Sequence, residues 1–326
     1  MPQENAIHAL AIVIPVYQGE RTLPPLIKEL AAFSQEKQTS KGHAYRIEEV
    51  VLVHDGAIDR SDQVIQELAA NYPFVKPVWL SRNFGQHPAT LAGIASTVAP
   101  WVVTMDEDGQ QRPDDIAALL DCALEKDAQL VYGNPINAPP HGVLRNILSY
   151  LSKWVFVRLL GNHHIGEFNS FRLLRGEIAR GLAAYCGHGV FLDAALAWVV
   201  ARAEHCPVTV RKESDHRSGY SLRSLVKHFW RLLVTSGTKP LRFISFLGAL
   251  SLLLCIALTG YALWAKFTSH VPIAGWTSTT IVNSLFFGAT LLSLGVVAEY
   301  LAIALAIVMG KPPYLITSGP RRKSQS

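Results

Sequence analysis

Short apolar runs alternate with helically spaced apolar positions through the first 135 residues. "LAIVIPVY" is β-branched, bounded by Pro15, and reads as a strand. "LPPLIKELAAF" follows with helical spacing. "EEVVLVHD" predicts a second strand, and "SDQVIQELAANY" a second helix opened by Ser61 or Asp62. "VKPVWLSR", "HPATLAGIASTVA", "WVVTMDED", "PDDIAALLDCALEKD" and "AQLVYGN" continue the alternation. Strand then helix at this interval predicts an α/β domain: a mostly parallel sheet with helices on both faces. In such sheets ligands bind beyond the carboxyl ends of the strands. The polar residues fall there: Tyr17 and Glu20 after the first strand, Asp55 after the second, Arg82 and Asn83 after the third, Asp106 and Asp108 after the fourth.

After Asn134 the pattern changes. "HGVLRNILSYLSKWVFVRLLG" sets Leu144, Ile147, Leu148, Leu151, Trp154 and Val155 at helical spacing, with Arg145, Lys153 and Arg158 between them. "SLRSLVKHFWRLLVT" repeats this with Leu222, Leu225, Val226, Phe229 and Leu232 against Arg223, Lys227 and Arg231. An apolar face beside a basic one suits a helix in the headgroup plane. For the first of the two, packing on the soluble domain fits nearly as well. Two long apolar runs follow, about 243–265 without a charge and about 280–309 with Glu299 as its sole charge. Both are long enough to cross a bilayer.

Lys227, Arg231, Lys239 and Arg242 precede the first run, and Lys311, Arg321, Arg322 and Lys323 follow the second. The connection carries only Lys266 and His270. Positive-inside bias therefore predicts both termini in the cytoplasm. The opening "MPQENAIHALAIVIP" has no basic leader before an apolar segment, so the N-terminal part is expected to stay cytoplasmic. The expected organisation is a cytoplasmic domain over 1–237, including interfacial helices at about 142–161 and 221–235, a two-helix membrane hairpin over 238–312, and a basic tail over 313–326.

Composition adds three constraints. The chain is 49% apolar, high for a wholly soluble protein and consistent with the two runs. Its net charge of +5 suits an anionic lipid surface, and no basic stripe with interleaved aromatics points to nucleic acid. Cys122, Cys186, Cys206 and Cys255 form no CxxC pair, as expected of free thiols in a reducing compartment.

The candidate chemistry centres on "VVTMDEDGQQRPDDI". Asp106 and Asp108, one residue apart at a strand end, can point the same way. Two hard oxygen donors aimed together suit Mg²⁺ or Mn²⁺, which fills its remaining positions with water and phosphate oxygens. A diphosphate is the natural third party.

"IVIPVYQGERTL", "VVLVHDGAIDRS", "LSRNFGQHPATLAGI" and "MDEDGQQRPDDI", in that order, resemble the successive signatures of a family 2 glycosyltransferase with the GT-A fold. "FNSFRLLRGEI", "HRSGYSLRSL" and "AEYLAIALAIVMGKPPYLI" resemble its membrane-bound branch, the polyisoprenyl-phosphate glycosyltransferases. The resemblance implies inverting transfer of a hexose-type sugar from a nucleotide sugar, a UDP-sugar ahead of GDP-mannose, to polyprenyl (undecaprenyl) phosphate at the inner-membrane face. It implies that Pro15, Tyr17 and Glu20 hold base and ribose, that Asp55 contacts the base, and that Asp106 faces ribose or metal. Asp108 would face metal and diphosphate, with Gln110 beside it, while Arg172 and Arg217 would meet the acceptor phosphate. Glu299 with Tyr300 would join helices or subunits, which leaves a homo-oligomer open.

The chain departs from the pattern at His54, Ala57, Gly19 and Ser170. Ser170 stands where some members carry an acid proposed as a base. A lipid phosphate is already ionised at neutral pH, so general-base help is largely unnecessary. A processive polysaccharide synthase would need more spans and a QxxRW motif, neither of which is found. A non-catalytic membrane adaptor would not need Asp55, Asp106 and Asp108.

Overall fold

The structure is a computed structural model, described here for residues 7–137, 169–200, 203–211 and 275–320 and for single positions 253, 257 and 264. Contacts divide the chain into two compact units, one built on a sheet and the other containing a long C-terminal helix.

The sheet unit follows from the alternating pattern. Strands β1 (His8–Val16), β3 (Ala44–His54), β4 (Val75–Leu80) and β5 (Trp101–Thr104) form its parallel centre in the order β5-β1-β3-β4. Successive side chains of a strand point to opposite faces. Leu10, Ile12, Ile14, Val50, Leu52, Trp101 and Val103 accordingly enter one core. There they meet α1 (Leu23–Ala31), α2 (Ser61–Asn71) and α4 (Asp115–Glu125). Val13, Val51, Val53 and Val102 enter the other core, under α3 (Gln86–Ala95), α5 (Gly176–Tyr185) and α6 (Leu192–Val199). Gly93 lets α3 lie close on the sheet: a Cβ there would stand 2.3 Å from Val13 Cγ1.

The rest of the sheet departs from the parallel pattern. Strand β7 (Arg172–Arg175) runs antiparallel between β5 and β6 (Leu130–Pro135), and β8 (Glu204–Val208) pairs parallel outside β6. Two short antiparallel strands complete the order, β2 (Lys37–Gln38) on β3 and β9 (Ile316–Thr317) on β4. Strands β7, β8 and β9 are too short for periodicity to reveal. Their pairing comes from neighbours far away in sequence. β9 lies within the stretch expected as a basic tail.

Because β7 is antiparallel, its first residue stands at the carboxyl end of β5, with Arg172 opposite Thr104. The carboxyl ends of β1, β3, β4, β5, β6 and β8 therefore share one rim with the start of β7.

In the second unit, α7 (Trp276–Val308) contains one candidate span, Phe286–Val308, with mean hydropathy 2.3. It is the one such helix among the described residues. Within the other expected span, Leu253, Ala257 and Trp264 are helical and exposed; its remaining residues lie outside those described. So do the expected interfacial helices.

Candidate active site

The three adjacent acids, Asp106, Glu107 and Asp108, lie in the turn just beyond β5 and divide their work. Glu107 turns away from its neighbours and accepts backbone N–H bonds from Tyr17 and Gln18, each at 3.0 Å. It thereby pins the loop after β1. The same loop is held at Gly19, whose N–H donates to Ser61 Oγ at 2.8 Å, and at Glu20, whose N–H donates to Asp59 Oδ2 at 3.1 Å. Burial, with repulsion from Asp59 and Asp106, pushes the Glu107 carboxyl up to about 7 despite its two backbone donors.

Asp106 faces a cleft of about 160 Å³ lined by Pro15, Gln86, Thr104, Ser170, Arg172 and Asp193 among others. Its Oδ1 accepts from Gln86 Nε2 at 2.7 Å. Its Oδ2 accepts from Gln111 Nε2 at 3.1 Å and from the Ser170 hydroxyl. The Asp106 N–H donates back to Gln111 Oε1 at 2.9 Å, so a buried amide grips the residue from both sides. Burial raises the Asp106 pKa and Asp108 adds repulsion, against the Ser170 bond, Arg172 and the Gln86 bond. Asp108 is exposed and accepts the Gln110 N–H at 3.0 Å.

Arg172 is 4% exposed. Its Nε donates to Thr104 Oγ1 at 3.0 Å, and Nη1 pairs with Asp193 Oδ1. Tyr132 donates its hydroxyl to the same Asp193 oxygen at 3.2 Å. Burial raises the Asp193 pKa, opposed by Arg172 and Tyr132.

Asp55 sits at the end of β3, 3% exposed. Its two oxygens accept the N–H groups of Phe84 at 2.7 Å and Gly85 at 2.8 Å. It holds the turn that starts α3 and so places Gln86 beside Asp106.

The structure thus brings Pro15, Asp106 and Arg172 to one cleft. Tyr17 and Glu20 lie on the adjoining loop, with Glu20 Oε2 accepting the Arg60 N–H at 3.2 Å. Gln110 lies on the turn after Asp108, and Arg217 lies outside the described residues. Gln86, Gln111 and Asp193 carry no signal in the sequence. A glutamine opening a helix and an acid in an apolar one carry no local mark of function.

Among the described residues no group of three or more acids, histidines or cysteines gathers as a metal cage. Asp108, exposed at the rim with the partly buried Asp106 two residues before it, would still suit Mg²⁺ or Mn²⁺, which binds through one or two carboxylates and borrows substrate phosphate oxygens.

The chain belongs to glycosyl transferase family 2, whose sequence model matches residues 11–182. It is 28% identical over 320 residues to an undecaprenyl-phosphate 4-deoxy-4-formamido-L-arabinose transferase of Edwardsiella ictaluri, covering 97% of this chain and 95% of that protein. A Pseudomonas fluorescens protein of the same name is 28% identical over 317 residues, with 95% and 89% covered. Among solved structures, mannosyl-3-phosphoglycerate synthase from Rubrobacter xylanophilus superposes with TM-score 0.50 at 14% identity, over 74% of this chain and 75% of that one. Glucosyl-3-phosphoglycerate synthase from Mycobacterium tuberculosis, solved with Mn²⁺, UDP-glucose and phosphoglyceric acid, gives TM-score 0.50 at 15% identity over 71% and 79%. These two likenesses concern the fold.

Proposed function

We propose that this chain transfers a sugar from a nucleotide diphosphate sugar to polyprenyl phosphate, with inversion, on the cytoplasmic face of a bacterial inner membrane. The observation that carries the proposal is the extent of the match. The family model ends at residue 182, whereas the Edwardsiella relative aligns with 97% of the chain. The likeness to an undecaprenyl-phosphate transferase therefore includes the apolar α7 and is not confined to the sheet. A UDP-sugar is proposed as donor ahead of GDP-mannose, and the 4-deoxy-4-formamido-L-arabinose of the relatives' name joins the candidate sugars.

The site supports such chemistry without a general base. Ser170 donates its hydroxyl to Asp106 and offers no carboxylate. An ionised lipid phosphate needs none, since it attacks as it stands. What remains to be supplied is placement and charge balance. Asp108 would hold a divalent cation, with Asp106 behind it fixed by Gln86, Gln111 and Ser170. When bound, that cation would neutralise the diphosphate and so ease its departure. The pinned loop Tyr17–Glu20 and Asp55 would position the nucleotide, with Pro15 and Gln110 beside them. Arg172 and Arg217 are the proposed cations for the acceptor phosphate. Arg172 is largely balanced by Asp193 and would bring little net charge of its own.

The test is a panel of radiolabelled nucleotide sugars, including UDP-glucose, UDP-linked 4-deoxy-4-formamido-L-arabinose and GDP-mannose, incubated with the full-length protein in membranes and undecaprenyl phosphate. Label should enter the lipid with at least one UDP-sugar, depend on Mg²⁺ or Mn²⁺, and disappear in Asp108→Asn. Label transferred only to water or polysaccharide would overturn the proposal.

A further inference from the structure

The segment leaving β8 is fastened residue by residue at the rim. The Thr209 N–H donates to Asp115 Oδ2 at 3.2 Å, the Val210 N–H to Asn137 Oδ1 at 2.8 Å, and the Arg211 N–H to the Gln110 carbonyl at 2.9 Å. Asn137 returns a bond from Nδ2 to the Val210 carbonyl at 2.8 Å. The Arg211 guanidinium then closes on Glu29 of α1 with both arms, at 2.9 and 2.8 Å. Backbone donors at a rim can be satisfied by water. Here three in a row are satisfied by other elements of the fold.

The Arg211 N–H, alone among these, reaches the turn after Asp108. Gln110 donates its N–H to Asp108 Oδ1 at 3.0 Å, across a Gly109 at φ +71. This is the side-chain turn that aspartate favours, with glycine where the backbone needs positive φ. Gln110 also gives its carbonyl to Arg211. One residue therefore links the Arg211–Glu29 fork to the rim carboxylate.

We infer that Arg211, clamped by Glu29, is a positioning residue for Asp108, fixing through Gln110 the direction in which that carboxylate meets a divalent cation. The inference rests on Asp108 being the metal-facing acid. The pair is 41% and 40% exposed, and ion pairs so exposed add little to global stability. Its consequence is geometric: a planar two-armed fork fixes orientation as well as distance. Groups that orient a metal ligand from behind are worth roughly 10–100-fold in metal affinity.

The experiment titrates Mn²⁺ into the full-length protein in detergent at saturating UDP and follows thermal stabilisation, which rises as ligand binds the folded state. Arg211→Ala and Glu29→Gln should each raise the Mn²⁺ concentration for half-maximal stabilisation by about tenfold. Their melting temperatures without ligand should match the unmodified protein. The exchanged pair Glu29→Arg/Arg211→Glu should recover most of the loss, a result that a nonspecific packing defect would not give. An unchanged Mn²⁺ requirement in both single variants overturns the inference, as does an exchanged pair that folds normally without recovery. If Arg211→Ala melts early, Glu29→Gln decides the matter alone. Absence of any Mn²⁺-dependent stabilisation by UDP in the unmodified protein overturns the metal reading itself, and the role of the clamp with it.

Discussion

Glu107 sits in surroundings that oppose its charge. Its carboxyl is drawn toward neutrality by burial and by neighbouring acids, yet its job is to accept two backbone N–H bonds that hold the loop after β1. Between its ordinary value of 4.5 and its folded value of about 7, the folded chain keeps a proton that the unfolded chain has released. The unfolded state then binds fewer protons, so stability falls as pH rises through that window. Its contribution is fully present below the lower value and lost above the upper one. Urea midpoints at pH 5 and pH 7.5 should therefore differ more for the unmodified protein than for Glu107→Gln, which cannot titrate. An identical pH dependence in the two would show that Glu107 ionises as easily folded as unfolded.

At the scale of elements, the decisive feature is the antiparallel β7 between β5 and β6. It carries Ser170 and Arg172 to the end of β5, where one donates to Asp106 and the other meets Thr104. Arg172 also fastens β7 to α6 through Asp193. Removing one partner of a buried ion pair leaves an uncompensated charge and costs about 3–5 kcal/mol, whereas removing both is often much milder. Arg172→Met should accordingly lower the unfolding free energy by about that amount. Arg172→Met/Asp193→Leu should restore most of it, measured by denaturant unfolding in a double-mutant cycle. Equal destabilisation by the single and double changes would mean that packing, and not the charge pair, joins the two elements.

For the whole molecule, the chain that leaves α7 comes back to the sheet. Ile316–Thr317 pairs with Leu80 and Trp79, and the Ser81 N–H donates to the Leu315 carbonyl at 3.0 Å. This covers the outer edge of β4, which would otherwise present unpaired backbone groups to other chains. Deleting residues 313–326 should therefore promote concentration-dependent self-association, read by light scattering in detergent, with little loss of helical content by circular dichroism. A truncated protein that stays as dispersed as the intact one would show that the edge needs no cover.

Much of this architecture is legible in the sequence. The β-branched runs and helical spacing locate the four parallel strands and their helices, because periodicity is set by geometry within a few residues. The same locality puts Asp55, Asp106 and Asp108 at strand ends, and hence on one rim, and marks the apolar length of α7. Tertiary structure decided the rest. Glu107 meets Tyr17 across 90 residues, and Ser170 meets Asp106 across 64. Gln86 and Gln111 converge on Asp106 from opposite sides in sequence. Those meetings depend on strand order and on the direction of a four-residue β7, which no local window encodes. Sequence alone thus determined where the acids stand along the strands; only the assembled sheet decided what each acid holds.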